Sequence, residues 1–134
     1  MQVLKLAGLF AASLLAGQAQ AVTLDCTLKP SESSGGYVTE RYILDYNEAE
    51  GTAVAVDSLI QYFHGGPVPA KLSDNTAKKT VFTWTVLTTS QSGQVTKMQF
   101  RAAVFKSDNS ITVSATPGGG YGGGFEARGK CKKV

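Results

Sequence analysis

The sequence predicts an all-β fold: a single antiparallel meander closing into a small β-barrel or, as the alternative, a β-sandwich, with one short helix near residues 58–64. Three observations predict it. Thr80–Lys106 reads as a hairpin, because Phe82, Trp84 and Val86 alternate with Val81, Thr83 and Thr85, and Met98, Phe100, Ala102 and Val104 alternate with Lys97, Gln99 and Arg101. Strand side chains point to opposite faces with period two, so each half has an apolar and a mostly polar face. Along the whole chain seven or eight such runs occur at regular spacing with short turns, the pattern of a meander. Finally, the two cysteines, Cys26 and Cys131, both fall on apolar faces, one in the first run and one in the last. Joining them sets the terminal strands side by side, which favours closure and removes exposed sheet edges.

The first 21 residues are set aside as an export leader. Lys5 supplies a positive start, Leu6–Leu15 an apolar stretch, and Ala19-Gln20-Ala21 a small-residue cleavage site, so the mature chain is expected to begin at Val22. Leu15-Ala16-Gly17 resembles the start of a lipoprotein signal, but Gln18 stands where the lipid-bearing cysteine would be. No other stretch approaches the ~20 apolar residues that cross a bilayer, so no membrane span is expected. Residues 22–134 then form one domain with a single core, since 134 residues less 21 leave 113. Removing Lys5 from 13 basic residues leaves 12 against 10 acidic ones, near +2. So small an excess does not point to nucleic acid, which asks for a strongly basic patch. In the oxidising compartment that export implies, an even pair of cysteines reads first as a disulfide.

Within the domain, Val22–Leu28 alternates as the first strand, and Lys29–Gly36 is a loop by composition. Tyr37–Tyr46 reads as one long β run with Glu40 interrupting its apolar face near a strand end. Asn47–Gly51 turns the chain and Thr52–Val56 returns. Asp57 or Ser58 caps a helix over Ser58–His64, with Leu59, Ile60 and Phe63 on one side and Gly65 at the left-handed C′ position. Pro67 and Pro69 force extended backbone. Ala70–Ser73 is a brief strand, Asp74-Asn75 a turn, and the central hairpin follows with its connector at Thr88–Gln94. Asp108-Asn109 turns into a strand with Ile111, Val113 and Ala115 inward. The glycine-dense Pro117–Gly124 leads to the last strand, Phe125–Cys131, with Phe125, Ala127, Gly129 and Cys131 inward and Glu126, Arg128, Lys130 and Lys132 outward.

Candidate chemistry is sparse. His64, the only histidine, sits in Phe63-His64-Gly65-Gly66, which is reminiscent of an esterase oxyanion loop, yet the chain has no G-x-S-x-G elbow. Gly118, Gly120 and Gly123 spell G-x-G-x-x-G before a strand rather than between a strand and a helix, so no dinucleotide is implied. No catalytic residues, cofactor or metal are expected. The binding residues expected instead are Tyr121 with Gly120 and Gly122, a flexible loop with an aromatic tip, and the outward cations Arg128 and Lys130.

Asp57-Ser58-Leu59-Ile60-Gln61 followed by His64-Gly65, the Phe82-Thr83-Trp84 strand and the terminal Arg128-Gly129-Lys130-Cys131 resemble small exported bacterial β-proteins. That resemblance covers about half the mature chain and implies no activity. In size and expected strand number the chain is also similar to lipocalin-like barrels and to periplasmic inhibitors of c-type lysozyme. Those inhibitors carry a Ser-Gly-x-x-Tyr loop that blocks the enzyme's cleft; the nearest match, Gly118-Gly119-Gly120-Tyr121, lacks the serine. The expected function is a non-catalytic binding module of the bacterial cell envelope, periplasmic or secreted and monomeric, with a protein or envelope component as partner. A lysozyme-inhibitor-like protein and a small hydrolase using His64 are the alternatives.

Overall fold

The computed structural model describes residues 21–31, 36–118 and 124–134. The alternating runs become eight strands: β1 (Ala21–Leu28), β2 (Arg41–Asn47), β3 (Thr52–Val56), β4 (Val68–Asn75), β5 (Lys79–Thr89), β6 (Val95–Phe105), β7 (Ser110–Pro117) and β8 (Phe125–Lys133). Each pairs antiparallel with the next, and β8 returns to β1, so the sheet is a closed barrel and not a sandwich. The closing register sets Cys26 directly opposite Cys131, with Cα atoms 3.9 Å apart and the sulfurs bonded.

Inward positions fill the barrel. Trp84 lies parallel to Phe100, its direct cross-strand partner, with ring centroids 5.5 Å apart, and Tyr42 tilts against the indole at 5.8 Å. Phe82 meets Tyr46 edge-on at 5.4 Å, and Leu44, Met98, Ile111 and Val113 close the gaps. Aromatic pairs at these separations add to what burial alone contributes.

Helix α1 (Ser58–His64) crosses from β3 to β4. Asp57 is its N-cap, and Gly65 ends it at φ 76° with its N–H on the carbonyl of Gln61. Ile60 is fully buried beneath it, while Tyr62 is 81% exposed. Among the described residues no helix is long and apolar enough to cross a membrane.

Among the element boundaries that differ from expectation, two have clear local causes. The run from Tyr37 is a strand only from Arg41, because the backbone before it has other partners. The Thr39 N–H donates to the Tyr42 hydroxyl (3.2 Å), and the Glu40 carbonyl accepts from the Leu28 N–H (2.8 Å). Nor does the chain turn at Asp74-Asn75: β4 continues through both after a register shift between Leu72 and Asp74. Asn75 is held in the sheet because its Oδ1 accepts from the Thr80 hydroxyl and from Lys106 Nζ, each at 3.0 Å. The turn falls instead at Thr76, whose Oγ1 accepts the N–H groups of Lys78 and Lys79.

In a meander successive connections lie at alternate ends. Residues 48–51, 76–78 and 106–109 close one end with tight turns. The longer connections, 29–40, 57–67 and 118–124, gather at the other together with 90–94. That asymmetry positions the candidate site.

Candidate functional site

The loop-bearing end is built on a ring pair that sequence reasoning missed. Tyr37, from the connection after β1, stacks on Phe125, the first residue of β8, with centroids 5.4 Å apart and planes 26° apart. The pair ties that connection to the exit of the glycine-dense segment. At the entrance of the same segment the Gly118 N–H donates to the Lys97 carbonyl (2.8 Å). At its exit a Cβ on Gly124 would stand 3.0 Å from Thr116 Cγ2 and 3.2 Å from the Ala115 carbonyl, leaving little room for a side chain. Tyr121, Gly120 and Gly122 lie between these anchors and outside the described residues.

Beside the ring pair the 36–40 segment is fastened to α1 through the carboxylate of Asp57. One oxygen accepts the Ile60 N–H at 2.8 Å as a helix cap, and the other accepts the Thr39 hydroxyl at 2.6 Å. A cavity of about 800 Å³ opens here, lined by Val38, Glu40, Arg41, Val56 and Ser58 among others. Burial raises the Asp57 carboxyl above its ordinary 3.8, against the hydrogen bonds from Thr39 and Ile60 that favour the charged form. Burial, and then the nearby Asp57 charge, raise the Tyr42 hydroxyl as well.

The pH dependence follows from the raised Asp57. The folded chain holds that proton more tightly than the unfolded one. This contribution to stability is complete below 3.8 and is lost as pH rises through the folded value. Asp57→Asn keeps a capping oxygen but has no proton to lose. Its stability relative to the parent is therefore expected to rise as the pH climbs from below 3.8 through the raised folded value, measured by urea denaturation. Asp25 and Asp108, lowered by their hydrogen bonds to Arg41 and Ser110, titrate alike in both proteins and cancel. A difference independent of pH contradicts this assignment.

His64 has a backbone role. Pro69 has no N–H to donate, and the β4–β5 ladder begins only at Lys71 opposite Thr83. Along the stretch of β5 left without a strand neighbour, the Leu87 N–H donates to His64 Nε2 at 3.3 Å. Neutral His64 therefore carries its proton on Nδ1. His64→Ala is expected to speed amide exchange at Leu87 on the order of tenfold while changing global stability by no more than about 1 kcal/mol. Unchanged exchange at Leu87 contradicts this role.

The outward cations of β8, Arg128 and Lys130, lie two residues apart on the exposed face of the strand, each near its own carboxylate. Arg128 lies near the loop-bearing end, where its carbonyl accepts the Lys29 N–H, and its guanidinium is 3.5 Å from Glu126. Lys130 sits toward the tight-turn end, 3.6 Å from Asp108. Exposed pairs of this kind contribute little. Among the described residues no three His, Cys, Asp or Glu side chains form a group that could hold a metal.

The Tyr37–Phe125 stack had no signal in the sequence beyond two aromatics at loop edges, and the Thr39–Asp57 bond none at all. The capping position of Asp57 was the one part of that cluster open to reading. A scan against protein-family models, a search of curated proteins and a search of solved structures each find no match to the chain.

Proposed function

We propose that this chain is an exported, non-catalytic binding module of the bacterial cell envelope that engages its partner with the loop-bearing end of the barrel. One observation carries the reading: the longer connections gather at one end of a frame whose interior is filled by its own side chains up to the opposite rim. Such a frame supports surface recognition by loops held on rigid strands. The Cys26–Cys131 disulfide agrees with an oxidising compartment. So does the proposed leader, residues 1–21, which ends where β1 begins. The contact we assign is Tyr121 with Gly120 and Gly122, between the anchors at Gly118 and Phe125, with Arg128 on the adjacent strand and Lys130 farther along it. The protein would act as a monomer on a protein or envelope component.

The test is affinity capture from envelope extracts with the parent and Tyr121→Ala. The parent retains a partner, and the variant is expected to lose at least tenfold in retention, as for a central aromatic anchor. Equal retention removes Tyr121 from the contact, and no retention by either removes the reading.

A lysozyme-inhibitor-like function is the second reading, favoured by the closed eight-stranded barrel; likeness of architecture alone assigns no function. Protection of cells from c-type lysozyme by purified protein at micromolar concentration would support it, and no protection would remove it. For a hydrolase built on His64 the geometry offers no support. Its Nε2 is occupied by a backbone N–H, and among the described residues neither an orienting carboxylate nor a nucleophilic hydroxyl is bonded to His64.

A further inference from the structure

At the tight-turn end the packed core stops short of the rim. A cavity of about 330 Å³ opens there, walled by Val22 and Leu24 of β1, Tyr46 of β2 and Val104 of β6, with the buried Thr80 among its lining. That volume lies at the small end of the range, about 300–1,000 Å³, in which proteins hold small molecules, and barrel mouths are among the places where such sites occur.

Strand alternation puts two lysines at this mouth. Lys106 stands two residues beyond Val104 and Lys133 two beyond Cys131, at core-facing parity and with exposed side chains at the rim. Lys106 has partners already: its Nζ donates to Asn75 Oδ1 at 3.0 Å and stands 4.0 Å from Glu48. Lys133 has no ion pair among the described residues. Among the side chains that line the cavity, the two ammonium groups of Lys106 and Lys133 stand against the one carboxylate of Glu48, an excess of one positive charge.

We propose that the tight-turn mouth of the barrel binds a medium-chain monocarboxylate, its hydrocarbon chain in the apolar cup and its carboxylate on Lys133. The walls select an apolar chain, and the cup's small volume limits its length. The excess positive charge selects an anion. Glu48, beside Lys106, opposes a second negative charge on the ligand, so a single carboxylate fits better than a dianion. This site lies at the opposite end from the loops and is independent of what they bind.

The test is an NMR titration of the exported, oxidised protein with butyrate, hexanoate, octanoate and octyltrimethylammonium. Saturable shifts are expected at Val22, Leu24, Tyr46 and Val104, with binding tightening roughly fourfold for each methylene added until the cup is full. The octyltrimethylammonium cation is expected not to bind. Lys133→Gln should weaken octanoate on the order of tenfold, the loss of one charge-assisted hydrogen bond. Lys132→Gln removes the same charge from the outward side of the same strand and should leave octanoate binding unchanged. Absence of saturable shifts, shifts clustered at the loop-bearing end, equal weakening by the two variants, or equal binding of the cation would each overturn the proposal.

Discussion

Replacing Cys26 and Cys131 together by alanine is expected to lower stability by about 4 kcal/mol and Tm by roughly 15–20 °C. The bond spans 105 residues, so nearly the whole domain is inside the loop that it closes. In the chain-entropy account, most of the effect lies in the unfolded ensemble, which gains freedom once the ends can separate. The folded state contributes too. β1 and β8 are paired over only Leu24–Leu28 against Gly129–Lys133, and this ladder is what makes the sheet a barrel. Cys26 is fully buried and Cys131 nearly so, so a reductant should act on the unfolded chain long before it reaches the native one. Urea denaturation of parent and double variant under non-reducing conditions measures the effect. A loss below about 1 kcal/mol would mean that the seam is held by something other than the disulfide.

The second large effect is expected at Gly129, two pairs along the same seam from the cysteines, opposite Leu28. A Cβ there would collide with the Thr27 carbonyl oxygen and stand 2.7 Å from Leu28 Cα. Both obstacles are backbone, and β1 cannot retreat while the neighbouring cysteine pair holds it against β8. Gly129→Ala is therefore expected to cost about 3 kcal/mol, near the upper end of ordinary overpacking, and Gly129→Val more. Gly66→Ala is the control, because a Cβ there meets nothing within 4 Å. It should leave stability unchanged or slightly improved. If the two alanine variants unfold at the same urea concentration, the close approach of β1 and β8 is wrong.

Most of the architecture was open to reading because period-two alternation, caps and turn residues are local. Phe82, Trp84 and Val86 declare their face without reference to any partner, and Asp57 and Gly65 bracket α1 by chemistry confined to a few neighbouring residues. The cysteines added the one long-range constraint, and it was enough to favour closure. What stayed hidden depends on register between distant segments. Tyr37 reads as a strand residue because its neighbours favour β structure, but its ring belongs on Phe125. Asn75 resembles a turn residue until Thr80 and Lys106 are seen to bind its side chain. Nothing local in the sequence marks Lys106 and Lys133 as neighbours, and only the closed barrel sets them around one cavity. For Gly129, membership of the inward face was legible, while the absence of room beside it was not.

The account turns on which end of the barrel meets a macromolecule. Hydrogen exchange of the oxidised protein, with and without the macromolecular fraction of an envelope extract, tests this most directly. Slowed exchange confined to residues 29–40, 57–67, 90–94 and 118–124 is the predicted result. Slowing confined to 48–51, 76–78 and 106–109, or slowing at neither end, would contradict it.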